Sequence, residues 1–455
     1  MRSDLVPRRR PHRGGVASRH GGHHGGGGEG NGAAAAVEPL LAHFFGGPPP
    51  VRVEFWDGSA LGPAGGDTLV VRSADAVRRL LWAPGELGLA RAFVAGDLDF
   101  EGDIFSLLAR LHAAVPARGH GRAPQPRQAL EALEALQAAR RLGAWGPPLP
   151  APPEEATPRG RLHSKSRDAQ AVRHHYDVSN DFYALVLGPS MTYSCARFAP
   201  GVVTLEAAQE SKHDLICRKL GLHERPGSRV LDVGCGWGTF ALHAARTYGA
   251  TVVGVTLSPA QAALARDRVA AAGLGEHVEI RVQDYRDVDD GPFDAVASVG
   301  MFEHVGSAKS GAYFDALHRL LRPQGRLLNH AISSVGGSRI GSRSFIGRYV
   351  FPDGELIDVG RVVGCMQRAG FEVRDVESLR EHYAKTLHAW VRNLEGHWDA
   401  AVAEVGVRRA RIWQLYMAAS ANGFDDGGIS VHQVLGVVPG ASGGSGMPPT
   451  RREWG

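Results

Sequence analysis

Three glycines at alternating positions near the middle of the chain are the strongest candidates for a ligand-binding turn. Gly234, Gly236 and Gly238 follow an apolar run at 230–233, and Asp232 lies two residues before the first of them. Because glycine has no side chain, it lets the backbone turn tightly and come close to a ligand. An apolar strand, a glycine-rich turn and a helix form the nucleotide-binding corner of an open α/β sheet. The G-x-G-x-G spacing is typical of turns that bind S-adenosylmethionine (SAM), with Asp232 orienting the turn or binding the methionine ammonium.

Polar residues after the next two predicted strands would face the same ligand. The second strand ends at 254–258 without the acidic residue that many nucleotide-binding folds use to bind the ribose. Ser258, Pro259 and Gln261 fit the N-cap, N1 and N3 positions of a capping box, so Gln261 either caps that helix or contacts the ribose. Segment 283–285, after the third strand, fits a contact to the adenine amino group.

Three further places hold polar residues that a fold alone does not require. Segments 173–183 and 190–195 are rich in polar and aromatic residues, and this composition is typical of a lid over a ligand. Glu303 comes directly after the fourth predicted strand, and His330 lies at the end of the fifth. Ligands bind beyond the carboxyl ends of parallel strands, so we expect Glu303 to face the methyl donor. A single polar residue at a strand end is usually structural, whereas two at neighbouring strand ends favour a functional site.

Alternating strands and helices must position these residues. The predicted strands span 229–233, 251–255, 278–282, 293–299 and 326–332, and the helices between them span 241–248, 259–271 and 312–321. This alternation predicts an α/β fold with a doubly wound, mostly parallel sheet. Segments 371–376 and 432–438 are candidates for two further strands on either side of a helical region at 379–420.

Composition divides the rest of the chain. The predicted parts are a disordered tail rich in Gly, Arg and His at 1–37, a small N-terminal α+β domain at 38–112, a Pro/Ala/Arg-rich linker at 113–165, a methyltransferase domain at 166–440 and a second disordered tail at 441–455. The linker has one candidate helix at 128–142. At 455 residues the chain is too long for one ordinary core, which favours this division.

Charge and cysteine content exclude some functional classes. A net charge of +4 with both signs interspersed does not favour nucleic acid as a partner. The four cysteines contain no C-x-x-C pair, which argues against a metal site or a disulfide framework and favours a reducing cytosol. No apolar run is long enough to span a bilayer.

Seven segments together resemble the cyclopropane-fatty-acyl-phospholipid synthase family, which includes the mycolic acid cyclopropane synthases. These segments are 174–183, 191–196, 231–238, 254–258, 283–286, 302–306 and 383–390, and they cover nearly all of residues 170–436. Residues 38–112 resemble the small lipid-binding domain of the longer bacterial phospholipid enzymes. Two residues depart from the pattern: Ser420 stands where some relatives carry cysteine, and Arg197 stands where an aromatic residue is common, which would alter the acyl entrance.

The resemblance implies a class I SAM-dependent methyltransferase that forms a cyclopropane on the cis double bond of an unsaturated phospholipid acyl chain, through a carbocation. An alkene is a weak nucleophile, so the site must align it and exclude water. Aromatic faces stabilise a cation, and the candidates are Tyr193, Phe302 and Tyr383. The resemblance further implies a bound bicarbonate ion as the base. The residues implied to form its pocket are Cys195, Glu303, His330, Ile332 and Tyr383.

The motifs and the resemblance also imply a cofactor site and a cellular setting. The residues expected to bind SAM are Tyr193, Ser194, Asp232, Gly234, Gly236, Gly238, Thr256, Leu257, Ser258, Gln261, Gln283, Asp284 and Tyr285. We expect a cytoplasmic protein in peripheral contact with the membrane, and relatives of this length imply a homodimer. Three alternatives stay open: a methylene-branching methyltransferase of acyl chains, a methyltransferase of small molecules or carrier-bound acyl groups, and a non-catalytic lipid-binding protein.

Overall fold

A computed structural model describes most of the chain. The described residues are 32–114, 137–156, 164, 165, 167, 168, 170, 178–336, 341, 344–352 and 354–451. Most of the predicted tail at 1–37, most of the linker helix predicted at 128–142 and the first part of the predicted lid at 173–183 lie outside these residues.

The N-terminal part forms a small α+β domain. Its elements are α1 (Ala33–Phe45), β1 (Arg52–Phe55), β2 (Ala60–Leu61), β3 (Thr68–Val71), α2 (Ala74–Trp82), α3 (Glu86–Ala95), β4 (Leu98–Glu101) and α4 (Ile104–Ala114). The strands lie in the order β2-β1-β3-β4, in which β1 and β3 are parallel and the outer pairs are antiparallel. The predicted α+β character is therefore present in this domain.

The larger domain is built on a seven-stranded sheet. Its elements are α5 (Asn180–Leu187), α6 (Leu205–Lys219), β5 (Arg229–Val233), α7 (Thr239–Tyr248), β6 (Thr251–Thr256), α8 (Pro259–Ala271), β7 (Val278–Val282), β8 (Phe293–Val299), α9 (Ser310–Arg319), β9 (Leu321–Ser334), α10 (Val359–Arg368), β10 (Glu372–Ser378), α11 (Arg380–Gly396), α12 (Trp398–Val405), α13 (Val407–Asp425) and β11 (Ile429–Val437). Short 3₁₀ turns follow β7 and β8, and a π-helical turn spans Ile346–Val350.

The strand order β10-β11-β9-β8-β5-β6-β7 confirms the predicted doubly wound, mostly parallel sheet. Strands β5 to β9 pair in parallel, and β11 is antiparallel to both of its neighbours. The central strands are buried on both faces, which explains why successive residues of β5 and β8 are buried rather than every second one. This arrangement brings the carboxyl ends of β5 to β9 to one edge of the sheet.

Three segments that composition assigns to tails or linker contain ordered residues. Helix α1 begins at Ala33, inside the predicted tail, because the Asp57 carboxylate accepts a hydrogen bond from its first N–H at 2.6 Å and its apolar face is buried. In the predicted linker, Ala139 and Ala144 pack into the core of the small domain. In the predicted C-terminal tail, Arg451 pairs with Glu377 at 3.0 Å. Tertiary contacts thus order segments whose Gly, Pro and Ala content predicted irregular chain.

Helix α13 holds the two domains together. The guanidinium of Arg411 donates to the carbonyls of Phe93 at 2.9 Å and Leu98 at 3.0 Å, and pairs with Asp99 at 3.0 Å. Leu415, one turn further on, packs against the core of the small domain. No helix among the described residues is long and apolar enough to cross a lipid bilayer.

We predict that Arg411→Met lowers the free energy of unfolding by about 2 kcal/mol, because it leaves the carbonyls of Phe93 and Leu98 without their charged donor and leaves Asp99 with Arg72 alone. The matched control is Arg408→Met on the same helix, which removes only the half-exposed ion pair to Glu154. That control should change stability by less than about 0.5 kcal/mol. Urea unfolding of both variants tests the prediction, and equal losses would contradict it.

Candidate functional site

The glycine turn has the geometry that the sequence predicts. Gly234, Gly236 and Gly238 have φ angles of 79°, 53° and 75°, in the left-handed region that favours glycine. A Cβ on Gly234 would lie 3.0 Å from the side chain of Met301, so this residue must stay small. A Cβ on Gly236 would meet no protein atom within 4 Å, because Gly236 borders an open cavity.

This cavity lies at the carboxyl edge of the sheet, beyond β5, β6, β7 and β8. Most of the predicted SAM-binding residues line it: Tyr193, Ser194, Asp232, Gly234, Gly236, Thr256, Leu257, Gln261, Gln283, Asp284 and Tyr285. Gly238 and Ser258 are not part of the lining. Gly238 is the N-cap of α7, and Ser258 is the N-cap of α8. Both residues therefore fix where the helices beside the cavity begin.

The alternative left open for Gln261 is partly resolved. The Ser258 hydroxyl accepts a hydrogen bond from the Gln261 N–H at 3.2 Å, which confirms the predicted N-cap. The Gln261 side chain does not reach back to the N-cap backbone as a capping box requires. Its Oε1 instead accepts from the Thr256 hydroxyl at 2.8 Å, and the residue lines the cavity. A ribose contact by Gln261 therefore stays a prediction.

The segment after β7 is held by an ion pair that sequence reasoning missed. The Asp284 carboxylate pairs with Arg286 at 2.6 Å, and although burial raises its pKa, the hydrogen bonds from Arg286 hold that pKa below its usual range. Gln283 Nε2 donates to the carbonyl of Asp287 at 2.8 Å. The Tyr285 ring packs against Tyr313 at 5.3 Å. An adenine contact from this segment remains a prediction.

Two buried charged side chains face the cavity from opposite elements. Asp232 at the end of β5 is 2% exposed, and its Oδ2 has no hydrogen-bond partner in the described part of the chain. Burial raises the pKa of Asp232 to about 7, although the nearby Lys212 lowers it. Lys212 on α6 is fully buried, and its Nζ donates to the Ser194 hydroxyl at 2.8 Å. Burial lowers the pKa of Lys212 to about 7, although Cys195 and Asp232 raise it.

Lys212 was absent from the predicted site, although the sequence pattern around it indicates a buried lysine. The helical spacing of α6 places it on the buried stripe that includes Leu205, Ala208 and Leu215. A lysine on the apolar face of a helix must find a partner in the interior or face a ligand. The hydrophobic periodicity of 205–219 would have revealed this residue.

Glu303 follows β8 in a 3₁₀ turn and contacts the neighbouring strand. Its Oε1 accepts a hydrogen bond from the Ile332 N–H at 2.7 Å, whereas its buried Oε2 has no partner among the described residues. Burial raises the pKa of Glu303 to about 7, although the Ile332 N–H lowers it. The carboxyl group can therefore exchange a proton near neutral pH.

His330 lies in β9 and its protonation is fixed by its partners. Gln433 Oε1 accepts from Lys219 at 2.9 Å, so its Nε2 is the atom that donates to His330 Nδ1 at 3.2 Å. The His330 ring therefore carries its proton on Nε2, and this buried N–H has no acceptor in the described structure. Burial, with Lys212, Lys219 and His432 nearby, holds the pKa of His330 well below its usual value, so the ring is neutral.

The other predicted catalytic residues lie near α11. The Cys195 thiol donates to the carbonyl of Ala196 at 3.2 Å, and burial raises its pKa far above neutrality, which argues against a nucleophilic role. Tyr383 is buried, with its ring 4.7 Å from that of Phe424. None of the five predicted catalytic residues is part of the cavity lining. Glu303 follows β8 and is hydrogen-bonded to Ile332 on β9, the strand that also carries His330. The Cys195 thiol contacts the carbonyl of Leu379, just before α11, and Tyr383 lies in the first turn of that helix.

An aromatic cluster adjoins the SAM cavity. The Tyr193 ring lies 5.2 Å from Trp390 and 5.7 Å from Trp413, and its hydroxyl donates to Tyr416 at 3.0 Å. Tyr193 also lines the cavity, so the aromatic cluster and the cavity share this residue. Phe302, the third predicted aromatic candidate, packs in a different part of the core, 5.2 Å from Tyr313.

Of the two sequence departures noted above, Arg197 has a clear partner: its guanidinium donates to Ser211 Oγ on α6 at 3.2 Å. The described part of the predicted lid forms α5, whose N-cap is Ser179 and whose Phe182 and Tyr183 are buried. Residues 173–177 of the predicted lid lie outside the described residues.

Comparison with known proteins adds independent evidence. Residues 163–434 match the family described as mycolic acid cyclopropane synthetase. A probable fatty acid methyltransferase of Mycobacterium tuberculosis is 44% identical over 88% of this chain and 93% of its own length. The cyclopropane-fatty-acyl-phospholipid synthase of Escherichia coli is 38% identical over 60% of this chain and 69% of its own. The structure of the mycolic acid cyclopropane synthase CmaA1, complexed with SAH and CTAB, aligns with a TM-score of 0.56 and 35% identity over 59% of this chain and 98% of that chain.

We predict that Gly236→Ala weakens binding of S-adenosylhomocysteine (SAH) by about tenfold or more, because the added methyl group occupies the space where the backbone approaches the ligand. Gly249→Ala is the matched control: it also has a left-handed φ, of 65°, and open space around it, but it ends α7 away from the cavity. Both variants should lose about 1 kcal/mol of stability through backbone strain. Calorimetry with SAH distinguishes them, and an equal effect on affinity would contradict the assignment.

Proposed function

Because this chain belongs to the mycolic acid cyclopropane synthetase family and is a SAM-dependent methyltransferase of acyl chains, we propose that it converts the cis double bond of an unsaturated phospholipid acyl chain into a cyclopropane. The observation that carries this proposal is the position of Tyr193, which borders the SAM cavity and belongs to an aromatic cluster with Trp390 and Trp413. An apolar chain in that cluster would lie beside the methyl donor.

The residues present fit SAM. The open face of Gly236 and the unpartnered Oδ2 of Asp232 both border the cavity, and each would meet a ligand there. SAM supplies an electrophilic methyl group when it is bound. The chain's own contribution is to align the alkene with that group and to exclude water, since the alkene is too weak a nucleophile to compete otherwise.

The aromatic cluster suits the charge that develops on the acyl chain. Attack by a double bond leaves a positive charge on carbon, and aromatic faces attract a cation in a desolvated site. Tyr193, Trp390, Trp413 and Tyr416 present such faces without a formal negative charge that would trap the cation. The structure of CmaA1, to which this chain is similar, was determined in complex with CTAB, a molecule with an apolar chain, and this supports an apolar substrate.

Glu303 and His330 would hold an anion. The His330 Nε2–H lacks an acceptor and the Glu303 Oε2 lacks a partner among the described residues, and a protonated Glu303 could donate as well. These groups fit a bicarbonate ion, which supplies a base for the proton that leaves the new methyl group. Ile332 positions Glu303 through its N–H. Tyr383 on α11, and Cys195, whose thiol contacts the carbonyl of Leu379, would border the pocket.

The small domain would present the lipid. It packs on α13, the helix that also carries Trp413 and Tyr416 of the aromatic cluster, so a chain held by the small domain would lie close to that cluster. We therefore propose a cytoplasmic protein in peripheral contact with the membrane, acting as a homodimer on phospholipids. A domain with this placement disfavours small-molecule or carrier-bound substrates.

A second candidate function is a methylene-branching methyltransferase. It would share the same first step. A hydride shift would then move the positive charge to the methylated carbon, and loss of a proton from the new methyl group would leave a methylene branch instead of a ring. The observation that favours it is that the relative with 44% identity and nearly full coverage is named a probable fatty acid methyltransferase rather than a cyclopropane synthase.

We predict that Glu303→Gln lowers turnover by about a hundredfold or more while SAH binding stays unchanged, because an amide keeps the shape of the carboxyl but cannot exchange a proton. The control is Glu395→Gln, another carboxyl whose pKa is raised by burial, located on α11 with Gln414 as its partner. Full activity in the Glu303 variant would exclude the proposed role.

We predict that incubation with SAM and vesicles of oleoyl phospholipid gives a product heavier by one methylene unit that resists ozone. Resistance follows because a cyclopropane has no double bond. A product of the same mass that ozone cleaves to a ketone would establish the methylene-branching reaction instead. Mass spectrometry before and after ozonolysis measures both, and vesicles of saturated phospholipid are the control.

A further inference from the structure

Lys212 is a buried cation without an anion to pair with. Its side chain is fully buried on α6 and lines the SAM cavity. Its Nζ donates to a neutral group, the Ser194 hydroxyl, at 2.8 Å, and no carboxylate in the described part of the chain lies within ion-pairing distance of it. A buried ammonium in this position is costly unless an anion is supplied.

Lys219, two turns further along the same helix, shows how this protein satisfies a buried lysine that is purely structural. It is also fully buried, but it pairs with Asp375 at 2.9 Å and Glu377 at 2.5 Å, and it donates to Gln433 at 2.9 Å. The two buried lysines of this helix thus differ in whether they have counter-ions. The one that faces away from the cavity has its counter-ions, and Lys212, which faces the cavity, does not.

Within the described structure, Asp232 is a carboxyl group with an oxygen that lacks a hydrogen-bond donor, just as Lys212 lacks an anion. It is a buried carboxyl on the cavity wall, and its Oδ2 lacks a hydrogen-bond donor in the part of the chain that the structure describes. Lys212 and Asp232 are close enough to influence each other's protonation, but they do not form a hydrogen bond. The space between the two groups therefore carries a cation on one side and an anion on the other.

We propose that Lys212 binds the carboxylate of the methionine part of SAM, while Asp232 binds its ammonium. An α-amino acid is a zwitterion, and its two charges match the two unpaired groups in sign. Ser194 would share the carboxylate with Lys212, since its hydroxyl already lies within hydrogen-bond distance of Nζ. Gln209 supports this arrangement by donating to the carbonyl of Ser194 at 2.9 Å, which fixes the segment in place.

The protonation of the empty pair agrees with this assignment. Burial brings the pKa of both Lys212 and Asp232 to about 7, so the two groups can lose their charges together when no ligand is bound. Binding of a zwitterion stabilises both charged forms at once. Lys212 and Asp232 can thus be neutral when no ligand is bound, and both become charged when the amino acid end of the ligand binds.

A series of ligands on the unaltered full-length protein tests the assignment without any substitution. Isothermal calorimetry would compare SAH, decarboxylated SAH, which keeps the ammonium but lacks the carboxylate, and 5′-methylthioadenosine, which lacks both. We expect SAH to bind about tenfold to hundredfold more tightly than decarboxylated SAH, as for a hydrogen-bonded charge. Equal affinities of these two ligands would overturn the proposal.

The variant Lys212→Met then identifies the residue. We expect it to lose the preference for SAH over decarboxylated SAH and to bind 5′-methylthioadenosine as the unaltered protein does. Loss of affinity for all three ligands by the same factor would show a structural role and overturn the proposal. Lys219→Met is the matched control: it removes a buried lysine from the same helix, lowers stability, and should keep the full preference for SAH.

The proposal depends on the use of SAM and not on the identity of the acyl substrate. Binding of SAH is measured without lipid, so a failure of the phospholipid proposal leaves this result unaffected. Conversely, a protein that methylates phospholipid but binds SAH and decarboxylated SAH equally would refute the role of Lys212 alone. If Lys212→Met does not fold, the ligand series on the unaltered protein and on Ser194→Ala still decides whether the carboxylate is recognised here.

Discussion

Parallel pairing of the central strands is the constraint on which the rest of the site depends. In the register of the sheet, Asp232 on β5 pairs with Gly254 on β6 and Ala297 on β8, and Val299 on β8 pairs with His330 on β9. Parallel strands end at the same edge, so residues far apart in the sequence meet there. The glycine turn, Glu303 and His330 are neighbours because their strands are.

Three polar side chains at the carboxyl edge of the sheet have a buried atom without a partner in the described structure. Native proteins satisfy nearly all buried polar atoms, so each exception needs an explanation. Asp232, Glu303 and His330 each have one such unpartnered atom, as do residues elsewhere in the described structure, such as Trp390. Asp232 lies near the end of β5, Glu303 in the turn after β8, and His330 within β9. Lys219, in contrast, is fully paired although it is equally buried. Buried polar atoms without a protein partner are expected where a ligand provides their hydrogen bonds.

Helix α13 contacts both the small domain and the aromatic cluster. Arg411 and Leu415 contact the small domain, while Trp413 and Tyr416 point into the aromatic cluster beside the SAM cavity. A single helix thus contacts the small domain and contributes to the aromatic cluster beside the SAM cavity. The proposed presentation of a lipid by the small domain would use this connection.

The sequence by itself determined the sheet, the glycine turn and the family. Strand and helix periodicity in the larger domain comes from local burial patterns, and the positive φ of Gly236 follows from the turn. Motif strings also located most of the cavity wall. Composition failed at Ala33 and Arg451, because Gly-, Ala- and Pro-rich segments are ordered by contacts that are distant in sequence. Only the tertiary structure decided which buried charges lack partners, since the difference between Lys212 and Lys219 depends on residues more than a hundred positions away.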